Sequence, residues 1–240
     1  DLTIEAMGGT ATLDANSSAL GDNAHRLFNV KGGKFQLSSY MVLQNGNAGE
    51  NEGGSFTMEG IGESYTDYNN NIIKGNMADK SGGGVAVHGA MTMNGGSIKN
   101  NKAKDGGCGI FLWYSQSGQT TLTMTNGFIA SNDMAPGGTG NKGKGVYFSI
   151  SDLTMKMSGY ARISGDNDVY LTDGAKITVD SASLVPTSLG NVARITPKTY
   201  NAGTQVLTGN YVSTHNGKFK VTPNAGTNWS VGSNGYLKTS

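Results

Sequence analysis

Cysteine occurs once in 240 residues, at Cys108, which excludes an internal disulfide and any cysteine-rich metal site. Set in the turn Gly106-Gly107-Cys108-Gly109, it is expected to be a small buried hydrophobe rather than a reactive thiol. Proline is also scarce, at four residues against 38 glycines, so the glycine reads as turn chemistry and not as a low-complexity linker. Charged residues make up only 15% and the net charge is +1 with no basic cluster, so neither nucleic acid nor an anionic membrane is an expected partner. No apolar run approaches the roughly 20 residues of a membrane span. No signal peptide is visible, and the chain opens directly on strand-like text, Leu2-Thr3-Ile4. A processed protein or a monomeric fragment of a larger one is expected.

What the chain has is repetition. Met91-Thr92-Met93-Asn94-Gly95-Gly96-Ser97-Ile98-Lys99-Asn100-Asn101 returns as Leu122-Thr123-Met124-Thr125-Asn126-Gly127-Phe128-Ile129-Ala130-Ser131-Asn132. Three classes of short element recur. The first is a strand apolar at both ends: Phe28-Asn29-Val30, Val85-Ala86-Val87, Ile110-Phe111-Leu112, Val146-Tyr147-Phe148 and Val169-Tyr170-Leu171. The second is centred on Thr, or on Gln36 in one copy. It starts at Ala11, Phe35, Phe56, Met91, Leu122, Leu153 and Ile177. The third runs from an aliphatic residue to an asparagine: Val42 to Asn45, Ile73 to Asn76, Ile98 to Asn101 and Ile129 to Asn132. After Ile163 the pattern loosens, with Asp166 and then Asn167.

Repeats of this size built from strand-length pieces point to an all-β fold, a single-stranded parallel β-helix, over residues 1–181. Alternation with period two turns the strand ends inward and the middle residues outward. Met58, Met93, Met124 and Met155 then share an inward column. Thr12, Gln36, Thr57, Thr92, Thr123, Thr154 and Thr178 share an outward one. Asn45, Asn76, Asn101 and Asn132 are expected to form a structural ladder, each amide satisfying backbone groups that a corner leaves unpaired.

Gly83-Gly84-Val85, Cys108-Gly109-Ile110 and the Ile-x-x-Asn segments resemble the paired GGA(I/V/L) and Phe-x-x-Asn repeats of polymorphic outer-membrane and autotransporter-like bacterial surface proteins. The resemblance covers residues 10–180. It implies a right-handed parallel β-helix at an extracellular or cell-surface location, with adhesion and antigenic display as roles. Past residue 182 the Thr-Met phrase stops, and residues 182–240 are expected to be an irregular β-rich C-terminal cap of the same unit, packed around Phe219 and Trp229.

Candidate chemistry is thin. Polysaccharide lyases and hydrolases on this scaffold need carboxylates and bases converging from adjacent coils. Here Asp166 and Asp168 stand near Arg162 in one coil, expected as a solvated turn. His25, His88 and His215 have no partners at ligand spacing, and His88 reads as an exposed turn residue. No metal or cofactor is expected. The Thr column suggests an ice-binding surface, but strand surfaces favour β-branched residues in any case. Of three inserts, residues 60–71 with Tyr65 and Tyr68 and residues 113–121 with Trp113 and Tyr114 offer rigid aromatic contact area to a protein or a sugar, and the Gly-rich residues 133–144 carry no aromatic. The reading is a non-catalytic stalk or adhesin-like display module whose partner is a host or matrix protein or a glycan. The alternative is a carbohydrate-active β-helix, either glycan-binding or a degenerate lyase.

Overall fold

The computed structural model describes residues 71–240 apart from 115–119, 141 and 186–189, together with the strands Leu2–Ile4, Ala11–Asp14, Lys34–Leu37, Met41–Gln44 and Ser55–Met58. Asn45, Tyr65 and Tyr68 lie outside the described residues, as does the strand read at Phe28-Asn29-Val30. The fold is all-β and its sheets are parallel, apart from one C-terminal hairpin. The one α-helix among the described residues is the single turn Val212–His215.

One parallel ladder carries the Thr-centred strands, in the order Leu2–Ile4, Lys34–Leu37, Ser55–Met58, Ala90–Lys99, Thr121–Ala130, Thr154–Met157, Lys176–Thr178 and Leu207–Thr208. A second row of strands, Ala11–Asp14, Met41–Gln44, Ile72–Lys74 and Arg162–Ile163, joins the same sheet through the far halves of the two ten-residue strands. Backbone pairing thus continues through the Gly-rich segment that the sequence marks as a turn. It does so with register shifts around Asn126 and with Gly96 and Gly127 at φ 75° and 99°. A second ladder joins Val85–Val87, Ile110–Leu112, Val146–Phe148, Asp168–Leu171, Ala193–Pro197 and Phe219–Val221. A third, short one joins Met77–Ala78, Lys102–Ala103 and Asp133–Met134.

Four details differ from the sequence reading. Ala11–Asp14 pairs with Met41–Gln44, and it is Leu2-Thr3-Ile4 that begins the Thr ladder. An apolar-Thr-apolar triplet is common to both, so the pattern alone could not sort them. Val42 faces Ile72 and Leu43 faces Ile73, one position from the expected alignment. Met41, Val42 and Leu43 are all buried, so the segment shows no alternation to fix its register. In the segment Thr154–Met157, Met155 faces Leu122 and Met157 faces Met124, a slip of two. A slip of two leaves every side chain on its original face, so alternation cannot detect it. The inward column therefore holds Met93, Met124 and Met157, with Met58 in register with Met93 along the backbone, and Lys156 interrupts the outward threonines. Finally, both ladders run past residue 182: Ala193–Pro197 and Phe219–Val221 extend one, and Leu207–Thr208 the other.

Met93, Ile98, Ile110, Leu122, Ile129 and Phe148, from both large ladders, belong to one hydrophobic cluster. Each such residue is fully removed from water, and a side chain of this size contributes about 1.5–3 kcal/mol by burial. At the C-terminus the antiparallel pair Trp229–Val231 and Leu237–Thr239 departs from the repeat. Gly235 O accepts from Val206 N and Leu207 N, and Leu237 N donates to Thr204 O, so this hairpin occupies the edge of the Thr ladder. Trp229 packs against the shared core and Phe219 lies within it.

Candidate functional site

Two constructions stand out, one inside the fold and one outside it. Inside, a column of buried asparagine amides crosses four repeats. Asn76 Nδ2 donates to Asn101 Oδ1 at 2.9 Å, Asn101 Nδ2 to Asn132 Oδ1 at 3.0 Å, and Asn132 Nδ2 to Asn167 Oδ1 at 2.8 Å. Each amide also serves backbone. Asn101 Nδ2 donates to Ile73 O and Asn132 Nδ2 to Ile98 O, while Asn101 Oδ1 and Asn132 Oδ1 accept from the N–H groups of Asn76 and Asn101. Asn167, and not Asp166, takes the fourth place. Asp166 instead accepts from Ser131 N.

The residue before each of the first three amides sits in the left-handed region: Gly75 at φ 65°, Asn100 at 57° and Ser131 at 54°. That kink turns the following asparagine inward. The glycines preceding the first three strands of the second ladder, Gly84, Gly109 and Gly145, pack against the amide column. A Cβ on Gly109 would lie 2.6 Å from Gly145 O and 3.0 Å from Asn132 Nδ2, and one on Gly84 would lie 3.0 Å from Asn101 Nδ2. The glycine before the strand and the Ile-x-x-Asn phrase are thus two sides of one contact.

Outside, the middle residues of the second ladder form a row of rings. Phe111 faces Tyr147 and Tyr147 faces Tyr170 across the strands, with centroids 5.6 Å and 4.9 Å apart and the last pair within 9° of parallel. Trp113 meets Phe111 edge-on at 5.1 Å and stacks on His88 at 6.0 Å. The Lys142 ammonium lies 5.4 Å from the Tyr170 ring centre. Phe111 and Tyr170 are buried, but Trp113 is 41% and Tyr114 53% exposed. Burial pushes the Tyr170 phenol up, and the Tyr200 phenol to about 12, with nearby Asp168 adding to the latter. Both stay neutral hydroxyls at ordinary pH.

Trp113 and Tyr114 are therefore neighbours at an exposed rim. The shared middle position of Phe111, Tyr147 and Tyr170 in their strands is the sequence signal for this row. His88 is buried against Trp113, not exposed: the ring that follows it by one repeat covers it. Asp168 accepts from Gly143 N and Lys144 N, and Arg162 lies 4.3 Å from the centre of the Phe128 ring. These groups are engaged in holding turns and strands. Cys108 is buried beside Ala103 and Met134, and burial raises its thiol to about 11. Among the described residues no group of three or more His, Cys, Asp or Glu is placed to hold a metal ion, and no helix is long and apolar enough to cross a membrane.

Compared with family models, with curated proteins and with solved structures, the chain matches none.

Proposed function

We propose that the parallel ladders wind as successive coils of a right-handed β-solenoid, and that the chain is a non-catalytic module of a bacterial cell-surface or secreted protein. Its role is that of a stalk or adhesin-like display and interaction domain. The observation that carries this reading is the amide column, which keeps its contacts while the repeats between its members differ in length: 25, 31 and 35 residues. A frame held constant while the connecting segments vary is the geometry of a scaffold that presents loops. Winding is supported by the core common to both large ladders, and by ten-residue strands that belong to two rows at once.

The surface location, and a host or matrix protein or glycan as partner, rest on the motif resemblance of Gly83-Gly84-Val85, Cys108-Gly109-Ile110 and the Ile-x-x-Asn segments. The carbohydrate-active alternative draws support from the ring row. The ice-binding alternative loses support, because Lys156 breaks the threonine rank. The chain should give an elongated pair-distance distribution in small-angle scattering, and a compact globular profile would count against winding. Incubated with a panel of polysaccharides, it should release neither reducing ends nor unsaturated uronates. Product release would overturn the non-catalytic reading.

A further inference from the structure

We infer that Trp113 and Tyr114 form a stacking shelf for a pyranose ring, so that the ligand of this module is an oligosaccharide. The inference rests on the display-module reading and goes beyond it by assigning the site and the ligand class. Trp113 is held from two directions, by the edge contact with Phe111 and the stacked His88, so little ring freedom remains to be lost on binding. Phe111 is in turn braced by Tyr147 and Tyr147 by Tyr170, which makes the shelf the end of a continuous stack.

The surroundings favour a sugar over a protein partner. A protein hot spot is an aromatic anchor within apolar surface that excludes water. The other exposed large hydrophobics among the described residues are Met77 on the short ladder, Tyr211 after Leu207–Thr208 and Tyr236 in the C-terminal hairpin. In the second ladder the positions after the strands are polar beyond Trp113. Ser149 N donates to Leu112 O, placing Ser149 one repeat along, and Lys198 N donates to Leu171 O further on. A rigid, exposed ring whose counterparts along the row are polar rather than apolar suits a pyranose, whose C–H face stacks on an aromatic ring. Strand spacing of about 4.8 Å also sets the rings and polar positions in line along the direction in which an extended glycan chain would lie.

The test is a glycan array probed with the whole chain, followed by titration calorimetry on each hit. Binding is expected, with Trp113→Ala and Tyr114→Ala each weakening it by about tenfold or more. Trp113→Phe should keep part of the affinity. Tyr114→Ala serves as the control for folding, because this side chain is the more exposed of the two. Each variant's urea midpoint is measured alongside. An empty array, or hits unchanged in both alanine variants, would overturn the inference. If the array is empty while the chain binds an immobilised matrix protein, the sugar site falls and the display reading stands. If a hit is cleaved, the display reading falls instead.

Discussion

Asn101 shows how much depends on a single amide. Its side chain donates to Ile73 O and Asn132 Oδ1 and accepts from Asn76 N and Asn76 Nδ2, all in a fully buried position. Asn101→Ala would leave these groups without partners, and a buried unsatisfied group costs about 1–3 kcal/mol. The substitution should lower the unfolding free energy by about 2–4 kcal/mol in urea titration; a change below about 1 kcal/mol would show that water replaces the amide. Cys108 makes a pH-dependent contribution. Burial raises its thiol from 9.0 to about 11, so the folded state holds the proton more tightly than the unfolded chain. That stability is complete below pH 9 and is lost as pH rises toward about 11. Cys108→Ala should flatten the stability profile in that interval, leaving the separate alkaline contribution of Tyr200, and identical profiles would refute the assignment.

At the scale of the element, the contact between the glycine before a second-ladder strand and the amide column is the most demanding feature. Gly109→Ala sets a methyl against Gly145 O and Asn132 Nδ2, backbone and ladder groups that have little room to move. Overpacking of this kind costs about 1–3 kcal/mol, and the thermal midpoint should fall accordingly. An unchanged midpoint would mean that the repeats can separate locally. The strands themselves were largely legible, because short alternating triplets between glycine turns have few other readings. The sequence also carried the asparagine spacing directly. Its registers were less accessible: Met41 to Leu43 offer no alternation, and Leu153 to Met157 fit equally well in two frames. The ring row was missed because Phe111, Tyr147 and Tyr170 are far apart in the chain, and only the pairing of their strands brings them together. The left-handed residue before the first three amides was hidden for a different reason. Asn100 and Ser131 are not glycines, so nothing in their identity announces φ above zero.

For the molecule as a whole, the C-terminal hairpin determines how the ladders finish. It supplies Gly235 O to Val206 N and Leu207 N, and it packs Trp229 and Val231 against the shared core. Truncation after Asn224 would uncover the Leu207–Thr208 edge and the core beneath it. The shortened chain should self-associate in light scattering at concentrations where the full chain does not; equal behaviour would show that the edge is protected in another way. The residues past 182 looked irregular in sequence because the Thr-Met phrase had ended, yet the pairing of Val169 with Ile195 and of Ile195 with Val221 shows that alternation alone sustains the ladder. The unequal spacing of the amide column has a further implication. Since each asparagine bonds the one above and the one below whatever the length of chain between them, residues gained or lost in the loops of that stretch leave the rest of the frame in step. Such a chain can diversify what it shows to its surroundings, by insertion as readily as by substitution, without renegotiating how it folds.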